Sequence, residues 1–171
     1  MGAAQWLVLA VALLRLAELA YAARNARRLL AEGGQEVGAG HYPLLVALHA
    51  AWLGAIFLAV PADAPVALPF ALLFAALLAA RAWTIGSLGR YWTTRVITLP
   101  EAPLVRRGPY RFLRHPNYAI VAGEIAVLPL IFGAWRLALL FSILNAALLW
   151  HRIRVEDQAL APRRGHAASD A

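Results

Sequence analysis

Five long apolar runs constrain this chain more than any other feature. A backbone in hydrocarbon has no water to bond and must satisfy every N–H and C=O internally, as helices and closed barrels do. The runs cover about residues 3–24, 43–60, 66–88, 117–132 and 135–153. They are continuous rather than alternating and approach the ~20 residues that a spanning helix needs, which selects helices over a barrel. Of the 171 residues, 62% are hydrophobic, against roughly 45–50% in soluble domains. The expected fold is an all-α integral membrane bundle of about five transmembrane helices. It forms a single domain over 1–160, followed by a disordered tail over 161–171. Ala20-Tyr21-Ala22 resembles a leader-cleavage site, but no basic segment precedes the first run, and Arg15 and Glu18 interrupt it. A retained first helix is therefore expected.

The sixteen cationic side chains are all Arg, and the net charge is +7. They cluster between and beside the apolar runs, where they act as topology signals, so nucleic acid is not an expected partner. Arg24, Arg27 and Arg28 follow the first run, and Arg90, Arg95, Arg106, Arg107, Arg111 and Arg114 fill the linker 89–115. Arg152 and Arg154 end the fifth run, whereas the turn Pro61-Ala62-Asp63-Ala64-Pro65 carries no cation. With five spans, an outer N-terminus and a cytoplasmic C-terminus place every cluster in the cytoplasm. A bacterial inner membrane suits this arrangement. The tight Gly133-Ala134 turn makes the last two helices a hairpin. The absence of cysteine excludes disulfides and thiolate chemistry. His41 and His49 fit no common ligand spacing, so no metal is expected.

Polar groups at the edge of hydrocarbon need a reason. In His151-Arg152-Ile153-Arg154-Val155-Glu156-Asp157, Arg152 and Glu156 stand four apart and share a helix face. The bland reading is a solvated ion pair worth about 0.3–0.5 kcal/mol. The hairpin, however, should carry this cluster to His115-Pro116-Asn117-Tyr118. There Pro116 suits a first helical turn, whose free amides form an anion site. A helix cap with interfacial anchors stands beside that reading. Arg15 and Glu18 are expected to pair with each other or with a neighbouring helix. Glu124 either faces a substrate cavity or bridges to Arg15 or Arg81. Trp52, Trp83, Trp92, Trp135 and Trp150 read as interfacial belts.

The run Leu104-Val105-Arg106-Arg107-Gly108-Pro109-Tyr110-Arg111-Phe112-Leu113-Arg114-His115-Pro116-Asn117-Tyr118, followed by a hairpin and Arg152…Glu156-Asp157, resembles the isoprenylcysteine carboxyl methyltransferase family. The likeness covers about residues 80–160. Arg15-Leu16-Ala17-Glu18-Leu19, Arg24-Asn25 and Gly40-His41-Tyr42-Pro43 look more like a bacterial branch in which some members O-methylate polyketide lipids such as alkylpyrones and alkylresorcinols. The resemblance implies S-adenosylmethionine bound between the linker and the hairpin. Ala102, Pro103, Leu104, Val105 and Tyr110 would wall the nucleoside, and His115, Pro116, Asn117 and Tyr118 would hold the amino-acid end and ribose. Glu156 would contact the cofactor, and Arg152 the acceptor; Glu124, read from its place in the fourth run alone, is the further candidate for the acceptor. His115 and Glu156 are the candidate proton acceptors.

Two departures bear on the acceptor. Methyltransferases of prenylated proteins have a histidine where this chain has Ala102, and an acidic pair that is often Glu-Glu is Glu156-Asp157 here. A long-chain pyrone or phenol entering from the bilayer is therefore expected ahead of a prenylcysteine carboxylate. The rival readings are a sterol-reductase-like enzyme using a nicotinamide cofactor and a non-enzymatic membrane scaffold.

Overall fold

The computed structural model describes residues 1–99 and 105–169. Its elements in chain order are α1 (Ala3–Ala31), β1 (Gln35–Val37), α2 (Tyr42–Ala59), α3 (Leu68–Leu88), β2 (Val96–Thr98), α4 (Pro116–Leu130) and α5 (Trp135–Ser169). Four of these helices are long and apolar enough to cross a membrane, and α4 is a shorter apolar helix. The all-α membrane bundle read from the apolar runs is the fold.

Several boundaries differ from those expected. α1 continues past residue 24 to Ala31, because Ala, Arg and Leu are good helix formers and the first breaker is Gly33. α5 extends well beyond 153, the helix end expected from the sequence. Its segment 154–159 holds no Gly or Pro to stop it once it leaves the apolar zone. Within the linker, β2 pairs antiparallel with β1 in the register Gln35–Thr98, Glu36–Ile97 and Val37–Val96. This ribbon satisfies backbone donors that the run of breakers after α1 would otherwise leave to water.

α4 is the most enclosed helix, packed between α3 and α5, with Val121, Ile125 and Leu128 in the core. Val8 and Val11 of α1, Trp52 and Ile56 of α2, Phe74 of α3 and Phe141 of α5 complete that core. Pro129 lies in the last turn of α4, and its carbonyl accepts from Ala134 N–H at 3.0 Å. Gly133, at φ +69°, then turns the chain into α5, a left-handed conformation that a side chain would strain.

The arginine-rich ends lie together at one end of the bundle. Asn25, buried near the end of α1, donates to the carbonyls of Gly89 at 3.2 Å and Trp92 at 2.9 Å. This bond pair carries the start of the linker under α1. Trp52 and Trp92 are 1% and 2% exposed, so they are core residues and not belt residues, a correction to the sequence reading. Trp83, Trp135 and Trp150 are each more than half exposed, as belt residues would be.

Candidate functional site

The Gly-Pro-Tyr-Arg turn after the linker is held on α3 by close approach. Gly108 has φ +58°, and a Cβ there would fall 2.0 Å from Ser87 Oγ, so only glycine fits. Arg107 Nε donates to the Ser87 carbonyl at 2.8 Å and pins the same contact. Pro116 then opens α4 at a position where an N–H would go unused. The Tyr118 and Ala119 amides bond back to the His115 carbonyl, at 3.1 and 3.4 Å. Among the described residues this leaves the Asn117 N–H as the first-turn amide available to an anion.

The hairpin brings the two polar clusters together as the spacing implied. His115 Nε2 lies 3.2 Å from Asp157 Oδ1, and its Nδ1 lies 3.5 Å from Glu156 Oε1. The Tyr118 hydroxyl donates to Glu156. Arg152, 7% exposed, donates to the Tyr118 hydroxyl at 2.8 Å and to the Thr94 carbonyl at 2.7 Å. The His115 and Tyr118 rings stack with centroids 5.4 Å apart. A continuous network therefore runs from Thr94 through Arg152, Tyr118 and Glu156 to His115 and Asp157.

Two cavities meet at this network. The first, of about 490 Å³, includes Val105, Tyr110, Arg114, His115 and Glu156 in its lining. The second, of about 400 Å³, is mostly apolar and lies between α1 and α2. Trp92, Thr93, Asn117, Tyr118 and Arg152 line both. Among the expected cofactor residues, Val105, Tyr110, His115, Asn117, Tyr118 and Glu156 line the first cavity. Pro116 instead sets the helix start. Ala102, Pro103 and Leu104 lie outside the described residues.

Trp92, Thr93 and Thr94 were missed. The only signal for them was a tryptophan and two threonines set between linker arginines, and nothing local to that stretch says which helix they meet. Glu124 was expected either at a substrate cavity or in a bridge. It lines neither cavity and bridges, at 2.8 Å from Arg15 and 3.3 Å from Arg81. Glu18 closes the ring, 2.6 Å from Arg15 and 2.8 Å from Arg81.

Hydrogen bonding to Glu156 raises the His115 pKa above the usual histidine range; burial opposes this, and Asp157 reinforces it. Burial pushes the Tyr110 phenol up, and the Glu156 charge adds to the shift, so Tyr110 remains a neutral wall. A histidine whose folded pKa is raised adds stability below its unfolded pKa of about 6.5 and loses it as pH rises through the folded value. The melting-temperature gap between the wild type and His115→Gln is therefore expected to be widest near pH 6 and to close toward alkaline pH. A gap that widens with pH would contradict a raised His115 pKa.

Spanning helices carrying a polar cavity that shares a wall with an apolar one define an integral membrane protein with a two-chambered site. The chain belongs to the isoprenylcysteine carboxyl methyltransferase family, whose family model matches residues 67–162. Members of this family are membrane methyltransferases. The chain is also 37% identical over 164 residues to the Bacillus subtilis protein YpbQ, itself described as uncharacterized. That match covers 91% of this chain and 95% of YpbQ. No solved structure matches the chain.

Proposed function

We propose that the protein transfers a methyl group from S-adenosylmethionine to an oxygen of a lipophilic acceptor, with the arginine-rich end of the bundle in the cytoplasm and the N-terminus outside. The observation that carries this reading is the shared wall: a polar cavity suited to a zwitterionic nucleoside touches an apolar cavity suited to a chain from the bilayer. The donor set fits the cofactor. The Asn117 N–H and the nearby arginines suit its carboxylate, Glu156 suits its ammonium or ribose hydroxyls, and Val105 and Tyr110 suit its base. Bound there, S-adenosylmethionine supplies a sulfonium methyl, which the acceptor oxygen takes as the C–S bonding electrons return to sulfur.

The protein's part is alignment and exclusion of water. Arg152, on the wall between the cavities, orients an anionic or polar acceptor oxygen by charge-assisted hydrogen bonding. For a phenol, His115 and Glu156 are the proton acceptors within reach, and the hydrogen bond to Glu156 that raises the His115 pKa favours the charged ring over the neutral one. Calorimetry of S-adenosylmethionine and S-adenosylhomocysteine with detergent-purified protein tests the cofactor half. Saturable binding supports the reading, and its absence in folded protein overturns it. Arg152→Ala is expected to lower turnover about 100-fold, the scale of one lost oriented donor, while cofactor affinity changes no more than about threefold. Equal loss of both would remove Arg152 from the acceptor side.

A further inference from the structure

His49 is among the polar residues of the apolar cavity that the methyl-transfer reading does not use. Leu45, Val46, His49 and Leu53, spaced along one face of α2, oppose Leu16 and Leu19 of α1 across it. His49 Nδ1 lies 2.8 Å from the Leu45 carbonyl, which can only accept, so this nitrogen carries the hydrogen. In the neutral ring Nε2 is then a lone-pair acceptor. The ring's other contact is edge-on to Trp52, with centroids 6.2 Å apart, and supplies nothing to Nε2. Arg15, Glu18 and Arg81 are the charged groups that act on His49, and all three are engaged with one another or with Glu124. Arg152, also on this wall, is bound to Tyr118 and Thr94. Among the described residues Nε2 therefore has no hydrogen-bond partner, and an acceptor left unpaired on the wall of an apolar chamber is costly unless the occupant brings a donor.

Resting on the methyltransferase reading, we infer that His49 is a specificity-determining residue. Its Nε2 accepts a hydrogen bond from a hydroxyl that the lipid acceptor carries in addition to the oxygen being methylated. The acceptor class is thus a long-chain lipid with at least two polar head groups, one of them a neutral donor. Binding sites that hydrogen-bond a substrate hydroxyl discriminate strongly against analogues lacking it, because the protein partner is left unpaired.

The test compares two long-chain alkylphenols, one with a single ring hydroxyl and one with two, as methyl acceptors for the full-length protein in detergent or vesicles. The wild type is expected to favour the dihydroxy lipid by about 10–100-fold in kcat/KM. His49→Leu is expected to bring that ratio close to one through loss on the dihydroxy lipid. His49→Gln, which returns an acceptor near the Nε2 position, should restore part of it. An unchanged ratio in His49→Leu overturns the inference, as does a wild type that does not distinguish the two or that methylates neither while binding S-adenosylmethionine. Failure of the underlying reading looks different, because S-adenosylmethionine then does not bind at all.

Discussion

Glu156→Ala is expected to weaken S-adenosylmethionine binding by at least about 100-fold, enough to erase a saturable isotherm. In the free protein the carboxylate accepts from the Tyr118 hydroxyl and pairs with His115 at 3.5 Å, and it lines the polar cavity. Each hydrogen bond to a charged group is worth about 1.5–3 kcal/mol, and every 1.4 kcal/mol is tenfold in affinity. Loss of one or two bonds to the cofactor, together with loss of the anchor that holds Tyr118 and His115 in line, reaches two decades. Glu156→Gln keeps the shape and some hydrogen bonding, so an intermediate loss of about tenfold is expected. Calorimetry on variants with unchanged helical circular dichroism is the measurement. A Glu156→Ala protein that binds the cofactor within threefold of the wild type would remove Glu156 from the site.

The meeting of Arg152 and Glu156 with His115 and Tyr118 was legible because it follows from local rules. A first-turn Pro116 sets where α4 begins, a short glycine turn makes the hairpin, and a four-residue spacing puts two side chains on one face. Trp92, Thr93 and Thr94 obey no such rule. Asn25 of α1 and the β1–β2 ribbon bring them to the site, and both contacts join segments about sixty residues apart. Trp52 was misread for a related reason. Hydropathy says that a residue lies in the membrane but not whether it faces lipid or a neighbouring helix, and tryptophan suits either place. The Arg15–Glu18 pair was open to the three-residue spacing, and a Glu124 bridge to Arg15 or Arg81 was one of two readings, whereas choosing it over a substrate cavity and pairing Arg81 with Glu18 required knowing that α1, α3 and α4 converge.

That convergence sets the second large effect, a loss of about 3–5 kcal/mol of stability in Arg81→Met, the range seen when one partner of a buried ion pair is removed. Arg81 donates from Nε to Glu18 at 2.9 Å and from Nη1 to Glu124 at 3.3 Å, and its guanidinium sits 5.8 Å from the Trp92 ring centre. With Arg15 on the other side, two cations and two anions balance in a ring whose side chains are between 4% and 12% exposed. Removing Arg81 leaves two carboxylates for one guanidinium at a depth where water cannot compensate. Net charge, rather than the number of bonds, should therefore govern the outcome. The double variant Arg81→Met with Glu18→Gln keeps the 2.8 Å Arg15–Glu124 pair and restores neutrality. It is expected to recover more than half of the loss, although it keeps one of the four charged pairs of the wild type and Arg81→Met keeps two. Equilibrium unfolding in mixed micelles distinguishes the two accounts. If the double variant is less stable than Arg81→Met, the ring is held by its individual bonds; if it is more stable, the ring is a device for placing charge at membrane depth without leaving any of it unbalanced.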